Sequence, residues 1–455
     1  MSNLVAVILA AGKGTRMKSA LPKVLHEVGG KPMVQHVLNS ARAAGAEKNV
    51  VVIGFGAESV AQALHDQAEF VVQAEQLGTG HAVMQVRETL SGFSGTVMVL
   101  CGDTPLLTGE TLKALFMAHK EAKAAATVLT AVMPDPSGYG RVIRDTKGNV
   151  LKIVEQKDAN PDELTVKEIN TGIYCFEKDL LFEALDHIGC ENQQGEYYLT
   201  DVISILVNQG SKVWAVKTAD SDETLGVNSR LQLAQAEKVL RLRKLEALMS
   251  DGVTIMDPDS TFIDADVSIA SDTVIYPFTW LEGETQIGHG CKIGPNTRIQ
   301  HTKIGDNVTL QFVYAHECQI GDDVIAGPYV HLRPNTVLAK GVKIGNFVEV
   351  KNSNVGEKSK LPHLSYIGDT DMGSGINMGC GTITVNYDGK KKYRTTIEDN
   401  AFIGCNSNLV APVTVGQGAY VAAGSTVTKD VPPDALGVAR ARQVNIEGWA
   451  EKHRK

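Results

Sequence analysis

The chain has 455 residues, about three times the length of an ordinary domain, which predicts two or three folding units. Apolar residues make up 43% and charged residues 21%, a balance that excludes a disordered chain. Lys and Arg number 44 against 52 Asp and Glu, a net charge of −8, which argues against binding to nucleic acid phosphates. The seven cysteines form no C-x-x-C pair and no zinc-site spacing, and their scatter suits a reducing cytoplasm.

Taken in chain order, the first apolar run, residues 4–11, is too short to span a membrane. It also lacks the basic flank of a signal peptide. No later run approaches spanning length, so no membrane insertion and a cytoplasmic location are expected. Short β-branched runs at 5–9, 50–53, 71–72 and 97–100 read as buried strands. Stretches 33–44, 59–65, 80–89 and 110–118 read as the helices between them. This alternation predicts a parallel sheet covered on both faces, with function at the C-terminal ends of its strands.

Residues 228–250 contain no Gly or Pro and place Leu231, Ala234, Val239, Leu242, Leu245 and Leu248 on one helical stripe. Asp251-Gly252 follows as a stop signal. The predicted organisation is a first domain over 1–228, a linking helix over 229–250 and a second domain over 251–455.

From residue 263 the pattern changes. Ile263, Ile269, Ile275, Leu281, Ile287, Ile293 and Ile299 recur every sixth residue, and the period resumes at Ile304, Ile320, Ile344, Val355 and Ile397, ending at Val427. Six residues supply one short strand and one turn, and three such units close a triangular coil. The inward aliphatics then stack at ~4.8 Å from coil to coil. A β-sandwich would need strands every ~8–12 residues instead. Residues 387–396 (YDGKKKYRTT) carry no hexad and predict a projecting polar loop that reaches a neighbouring chain.

The first strand runs into Ala10-Ala11-Gly12-Lys13-Gly14-Thr15-Arg16-Met17, with Pro22-Lys23 shortly after. Small residues let backbone N–H groups approach a base and phosphates, while Arg16 and Lys23 supply charge for a polyphosphate. The string is not a Walker A loop, and Met17 stands where a dinucleotide fingerprint needs its third glycine.

LAAGKGTRM with Pro22-Lys23 resembles the signature of sugar-1-phosphate nucleotidyltransferases. Together with QLGTGHA (76–82), GDTPL (102–106), GYGR (138–141), INTGIY (169–174), QGEYYLTD (194–201), GVNSRLQL (226–233) and the hexads, the chain resembles the bacterial bifunctional GlmU family. The resemblance implies an α/β Rossmann-like nucleotidyltransferase domain followed by a left-handed parallel β-helix of hexapeptide repeats. It implies uridylyl transfer from UTP to N-acetylglucosamine-1-phosphate in the first domain. In the second it implies acetyl transfer from acetyl-CoA to glucosamine-1-phosphate. Homotrimers, with acetyl sites between subunits, are implied as well.

Nucleotidyl transfer to an anionic sugar phosphate needs no general base, only positioning and neutralised charge, usually with Mg²⁺. Asp103, just after a strand, is the natural carboxylate ligand, and the resemblance adds Asn228. It further assigns Leu9, Ala10, Ala11, Gly12, Lys23, Gln73, Gly78, Thr79, Cys101 and Gly102 to the nucleotide side. Gly140, Glu155 and Asn170 are assigned to the sugar. Cys101 departs from the Tyr that the family often has there.

Acetyl transfer requires the glucosamine amine, pKa near ~8, to lose its proton. His363, within the hexads, is the side chain suited to take it. The resemblance assigns Arg333, Lys351, Tyr366 and Asn377 to the sugar phosphate. It assigns Cys380, Asn386, Tyr387, Cys405, Ala423 and Arg440 to acetyl-CoA, where Cys380 and Cys405 replace a more usual Ala and Ser. Arg333 and Lys351 lie one coil apart, so they predict an anion between two stacked cations. Lys390, Lys391 and Lys392 are either CoA phosphate contacts or a solvated loop tip. A nucleotidyltransferase with the β-helix only as an oligomerising scaffold, and a non-catalytic binding protein, are the alternative readings.

Overall fold

The run LVAVILA is apolar at every position and forms a strand, β1 (Leu4–Ala10), buried on both sides. Val5 and Val7 enter one apolar cluster, while Leu4, Ala6 and Ile8 enter another across the sheet. A continuous apolar run marks a strand with both faces covered, as opposed to the alternation of a half-exposed one. The other main strands are β2 (Lys48–Ile53), β3 (Glu69–Val72), β4 (Thr96–Cys101), β5 (Ala126–Val132), β6 (Glu168–Glu177) and β7 (Val213–Lys217). Their spatial order is β7-β5-β6-β4-β1-β2-β3.

Strands β1 to β4 pair in parallel, and β7 is parallel to β5. Strand β6, however, runs antiparallel to both β4 and β5. The sheet is therefore mixed, which corrects the all-parallel expectation. The connection from β5 to β6 is an excursion through the hairpin Arg141–Arg144 and Val150–Val154, not a crossover helix, so the chain returns in the opposite sense. The helix expected over 80–89 is Thr79–Met84. Beyond Met84 the bonds tighten to i→i+3 spacing, as in Arg87 N–H to the Met84 carbonyl at 3.2 Å, while Val86 and Leu90 stay buried.

The structure, a computed structural model, describes residues 3–454. It divides into two units, one up to Leu240 and a second from Arg241. The helix Arg230–Ser250 carries the chain from one to the other. In the first unit its Glu237 accepts the Gly29 N–H at 2.7 Å. In the second, Leu245 and Leu248 join the apolar interior and Lys244 donates to the Ala265 and Val267 carbonyls.

The second unit is a left-handed parallel β-helix whose hexad aliphatics stack in register. Ile275 pairs with Ile293, Leu281 with Ile299, Ile344 with Leu361 and Ile403 with Val421. All of these are buried. The interior also holds hydroxyls, most of them satisfied by a nearby carbonyl, as Thr382 by Gly379 and Ser407 by Gly404, both at 2.7 Å; the buried Thr395 hydroxyl has no partner. Glycine follows the aliphatic because coils approach closely. A Cβ on Gly404 would lie 2.5 Å from the Ala423 nitrogen.

The interrupting loop projects only in part. Residues 387–392 are exposed, and Tyr387 bridges to Lys392. Its C-terminal stem returns to its own prism, where Arg394 pairs with Asp371 at 2.6 Å. Thr395–Ile397 is already a strand. A charge pair on the prism wall outweighs the polarity that predicts full projection, which corrects that expectation.

Ile403 is fully buried between Met378 and Val421. Ile403→Ala is expected to cost about 2–5 kcal/mol, read as a lower urea midpoint for the β-helix transition. Exposed Lys429→Ala serves as the control; equal midpoints would show that the interior is not packed as described.

Candidate functional site

In the first unit the site forms where β1 and β4 end side by side. The Gly102 N–H donates to the Leu9 carbonyl at 2.9 Å, joining the two strand ends. Lys23 opens a short 3-10 turn and sends its ammonium to both candidate metal ligands. It pairs with the Asp103 carboxylate and donates to Asn228 Oδ1 at 3.0 Å. Asn228 is oriented because its own amide donates to the Gly226 carbonyl at 3.4 Å, leaving the oxygen to face the cation. The Asp103 carbonyl in turn accepts the Val227 N–H at 2.9 Å.

Two hard oxygen donors aimed at one positive centre fit a divalent cation that keeps most of its water. Among the described residues no group of three or more His, Cys, Asp or Glu side chains forms a metal cage. A two-ligand site is consistent with that.

A cavity of about 450 Å³ opens beside this cluster. Leu9, Ala10, Ala11, Gly12, Lys23, Gln73, Gly78, Thr79, Cys101 and Asp103 line it, together with Lys13, Val24, Gln76, Ala82 and Glu196. Buried Gln73 donates to the Gly78 carbonyl at 3.1 Å and so fixes the loop that follows β3. Gly78 has φ +113°, and a Cβ there would fall 2.6 Å from the Tyr197 carbonyl oxygen. Arg16 is exposed on the turn Thr15–Met17 and does not line the cavity.

The sugar-side residues gather separately. The Asn170 N–H donates to the Gly140 carbonyl at 2.9 Å, and a Cβ on Gly140 would touch the Glu155 carboxylate at 3.4 Å. Burial, with Asp158 and Asp201 nearby, holds the Glu155 carboxyl above the usual carboxylate range. Gly172 connects this group to the cavity: its N–H donates to Asn170 Oδ1 and its carbonyl accepts the Cys101 thiol.

In the second unit, register decides the site. Asn346 pairs with His363. Lys360 pairs with Asn377 and Tyr366 with Ile383, which sets His363 level with Cys380. Met378 pairs with Ile403 and Ile403 with Val421, so Cys380, Cys405 and Ala423 follow in the same column. Arg440 closes it by donating to the Ala423 carbonyl at 2.9 Å. His363 thus heads a column made of the candidate acetyl-donor residues, all on one chain.

At the other end of the same face, Lys351 pairs with Gly368. A Cβ on Gly368 would lie 2.5 Å from the Tyr366 hydroxyl and 2.7 Å from the Asn386 amide nitrogen, so both side chains converge there. Lys351 is held below the usual lysine range, first by contact with the Lys392 amine, then by burial and the Lys392 charge. Asn377 is not part of this cluster; it sits one hexad back, level with Lys360 and Phe402. Tyr387 is exposed and donates to the Gly389 carbonyl at 2.7 Å.

Glu349 and Asp369 escape the sequence reading, and Lys392, read there as a CoA phosphate contact or a solvated loop tip, takes a different place. Glu349 pairs with Arg333 at 2.8 Å, an anion beside one of the two stacked cations. Asp369, buried, accepts the amides of Asn352 and Asn386. Lys392 joins Lys351. Coil spacing could have exposed the Arg333–Glu349 pair; the other two depend on where the loop folds.

Burial pushes the Cys101 thiol up to about 12, so it stays protonated through the neutral range. Iodoacetamide at pH 8 is expected to label exposed Cys190 and Cys405 in the folded protein and to spare Cys101. Equal labelling of all three would place the Cys101 side chain in solvent.

The nucleotidyl transferase family matches residues 5–235. The bacterial transferase hexapeptide family, six repeats, matches residues 317–352 and 394–429. The chain is 57% identical over 447 residues to the bifunctional protein GlmU of Geobacillus sp. strain WCH70, covering 98% of this chain and 97% of that protein. It is 56% identical over 449 residues to that of Geobacillus thermodenitrificans, covering 99% and 98%. The GlmU of Halalkalibacterium halodurans is 55% identical over 452 residues and covers 99% of each chain. Among solved structures, a UDP-glucose pyrophosphorylase complexed with UDP-glucose covers 52% of this chain at 20% identity and a TM-score of 0.43. Identity above one half along the full length, with both halves matched, is decisive: the chain belongs to the bifunctional GlmU family.

Proposed function

We propose that this bifunctional transferase makes UDP-N-acetylglucosamine in two steps, each carried by the residues gathered in one unit. The β-helix acetylates glucosamine-1-phosphate with acetyl-CoA. The first unit then transfers UMP from UTP to N-acetylglucosamine-1-phosphate and releases pyrophosphate. The observation that carries the reading is the register that sets His363 at the head of the Cys380, Cys405 and Ala423 column, with Lys351 and Lys392 along the same face.

In the acetyl step, the lysines and Arg333 hold the sugar phosphate, while Tyr366 and Asn386 orient the ring. His363 takes the proton from the amine as it attacks the thioester carbonyl, and small side chains in the column leave room for the donor. Tyr387 and Arg440 flank the carrier.

In the uridylyl step, a phosphate oxygen of the sugar attacks the α-phosphorus of UTP in line. Ala11, Gly12, Gln73, Gly78 and Thr79 hold the uridine side, and Gly140, Glu155 and Asn170 hold the sugar. Lys23 and Arg16 offset charge on the phosphates. Asp103 and Asn228 would hold Mg²⁺, which supplies neutralisation of the phosphoryl oxygens when bound.

The β-helix also exposes an aromatic ladder. Phe312 and Tyr329 lie 5.2 Å apart, and Tyr329 and Phe347 are stacked at 5.3 Å. Phe347 is 59% exposed, and the ladder lines a groove of about 780 Å³. Apolar surface of this extent marks an interface, and we assign it to two further copies in a homotrimer. The cytoplasm is the compartment we assign, since all seven cysteines are free; no helix is long and apolar enough to cross a membrane among the described residues.

Release of CoA thiol and of pyrophosphate, followed separately, tests the division of labour. Asp103→Ala is expected to abolish pyrophosphate release and to spare acetylation. His363→Ala should lower acetylation by about 10²–10⁴-fold and leave pyrophosphate release intact. Loss of both activities in either folded variant would sink the assignment of independent sites.

The assembly has its own test. Phe347→Asp should convert a particle of three chains into monomers by light scattering. A wild-type protein that already runs as a monomer would rule the trimer out.

A further inference from the structure

We propose that Cys380 and Cys405 close into a reversible intrachain disulfide that shuts the acetyl-donor column while leaving the uridylyl site untouched. Register pairing of Met378 with Ile403 sets the two cysteines one above the other on adjacent coils. The Asn406 N–H donates to the Cys380 carbonyl at 2.7 Å, which locks that alignment just beyond them. One coil is ~4.8 Å, inside the ~4.4–6.8 Å Cα separation that a disulfide spans. Both cysteines lie in turns between strands, at a corner of the prism.

The two thiols also differ from the other solenoid cysteines. Cys291 and Cys318 are buried and donate to carbonyls, at 3.2 Å to Gly305 and 3.1 Å to His316. Among the described residues Cys380 and Cys405 have no such partner; Cys405 is exposed and Cys380 half-buried. Accessibility makes Cys405 the first of the pair to react.

The chemistry is thiol–disulfide exchange with a low-molecular-weight disulfide, RSSR. The Cys405 thiolate attacks one sulfur and expels RS⁻, which takes up the proton that Cys405 released. Cys380 then attacks the Cys405 sulfur of the mixed disulfide and expels the second RS⁻, protonated in the same way. The two cysteine sulfurs are oxidised and RSSR is reduced to two RSH. The new bond lies beside His363, across the column where the thioester would sit. It also closes a ring around the loop that carries Lys392. This consequence rests on the acetyl-donor reading of the column, whereas formation of the bond does not.

The test treats the full-length protein with coenzyme A disulfide or with hydroxyethyl disulfide, then counts thiols, maps peptides and follows both activities before and after dithiothreitol. The expected result is one Cys380–Cys405 linked peptide, a persistent mixed disulfide only at exposed Cys190, loss of acetylation restored by dithiothreitol, and constant pyrophosphate release. Cys405→Ser and Cys380→Ala, each compared with its own reduced form, should show no oxidant-dependent loss. Free thiols left at Cys380 and Cys405, a bond from either to any other cysteine, or a mixed disulfide at Cys405 that never resolves would overturn the proposal. A Cys380–Cys405 bond that leaves acetylation intact would overturn the block and, with it, the placement of the acetyl donor on this column.

Discussion

Each coil of the β-helix completes the backbone hydrogen bonds of the next, and that in-register ladder is the constraint on which the second unit depends. It forces every residue to stand over a counterpart one coil away, as Ile344 stands over Leu361 and Asn346 over His363. Composition follows from this. Interior positions accept aliphatics and hydroxyls, most of which find a local carbonyl, and positions that touch the next coil accept glycine. Function uses the same geometry, since a column of side chains is a wall of defined spacing. The column headed by His363 continues through three small side chains, Cys380, Cys405 and Ala423.

The first unit solves a different problem. Its charge has to be gathered at one point, and the sheet does this by ending β1 and β4 together. The Gly102–Leu9 hydrogen bond places Asp103 beside the glycine-rich loop. Lys23 then spans Asp103 and Asn228, residues far apart in sequence. A carboxylate and an amide oxygen facing one ammonium form a compact polar centre whose parts hold one another in place. Such a centre suits phosphoryl transfer, where positioning and neutralisation supply most of the catalysis.

The two sites also differ in how charge is balanced. In the first, the cation and its partners are mutual. In the second, Lys351 and Lys392 lie side by side with the Asp369 charge acting on Lys351, while Arg333 pairs directly with Glu349. Two adjacent ammonium groups repel unless an anion joins them. On the proposed reading, a sugar phosphate bound there would relieve that repulsion and couple ligand binding to loop position. Arg394 on Asp371 fixes the base of the loop while its tip stays exposed.

The sequence by itself determined the solenoid, the strand–helix texture of the first unit and the identity of the groups suited to each chemistry. It did so because periodicity and local residue type suffice: a six-residue repeat has one economical fold, and LVAVILA can only be a doubly covered strand. Tertiary structure decided what depends on contacts between distant segments. It turned β6 antiparallel, since the connection from β5 is a hairpin excursion that no local preference encodes. It placed Glu349 on Arg333, Asp369 under Asn386 and Lys392 beside Lys351, pairings set by coil length and by the path of the loop. It also put Cys380 over Cys405. Residues 387–396 add to the chain between these two cysteines without adding a coil, so their sequence separation hides the fact that the ladder makes them neighbours.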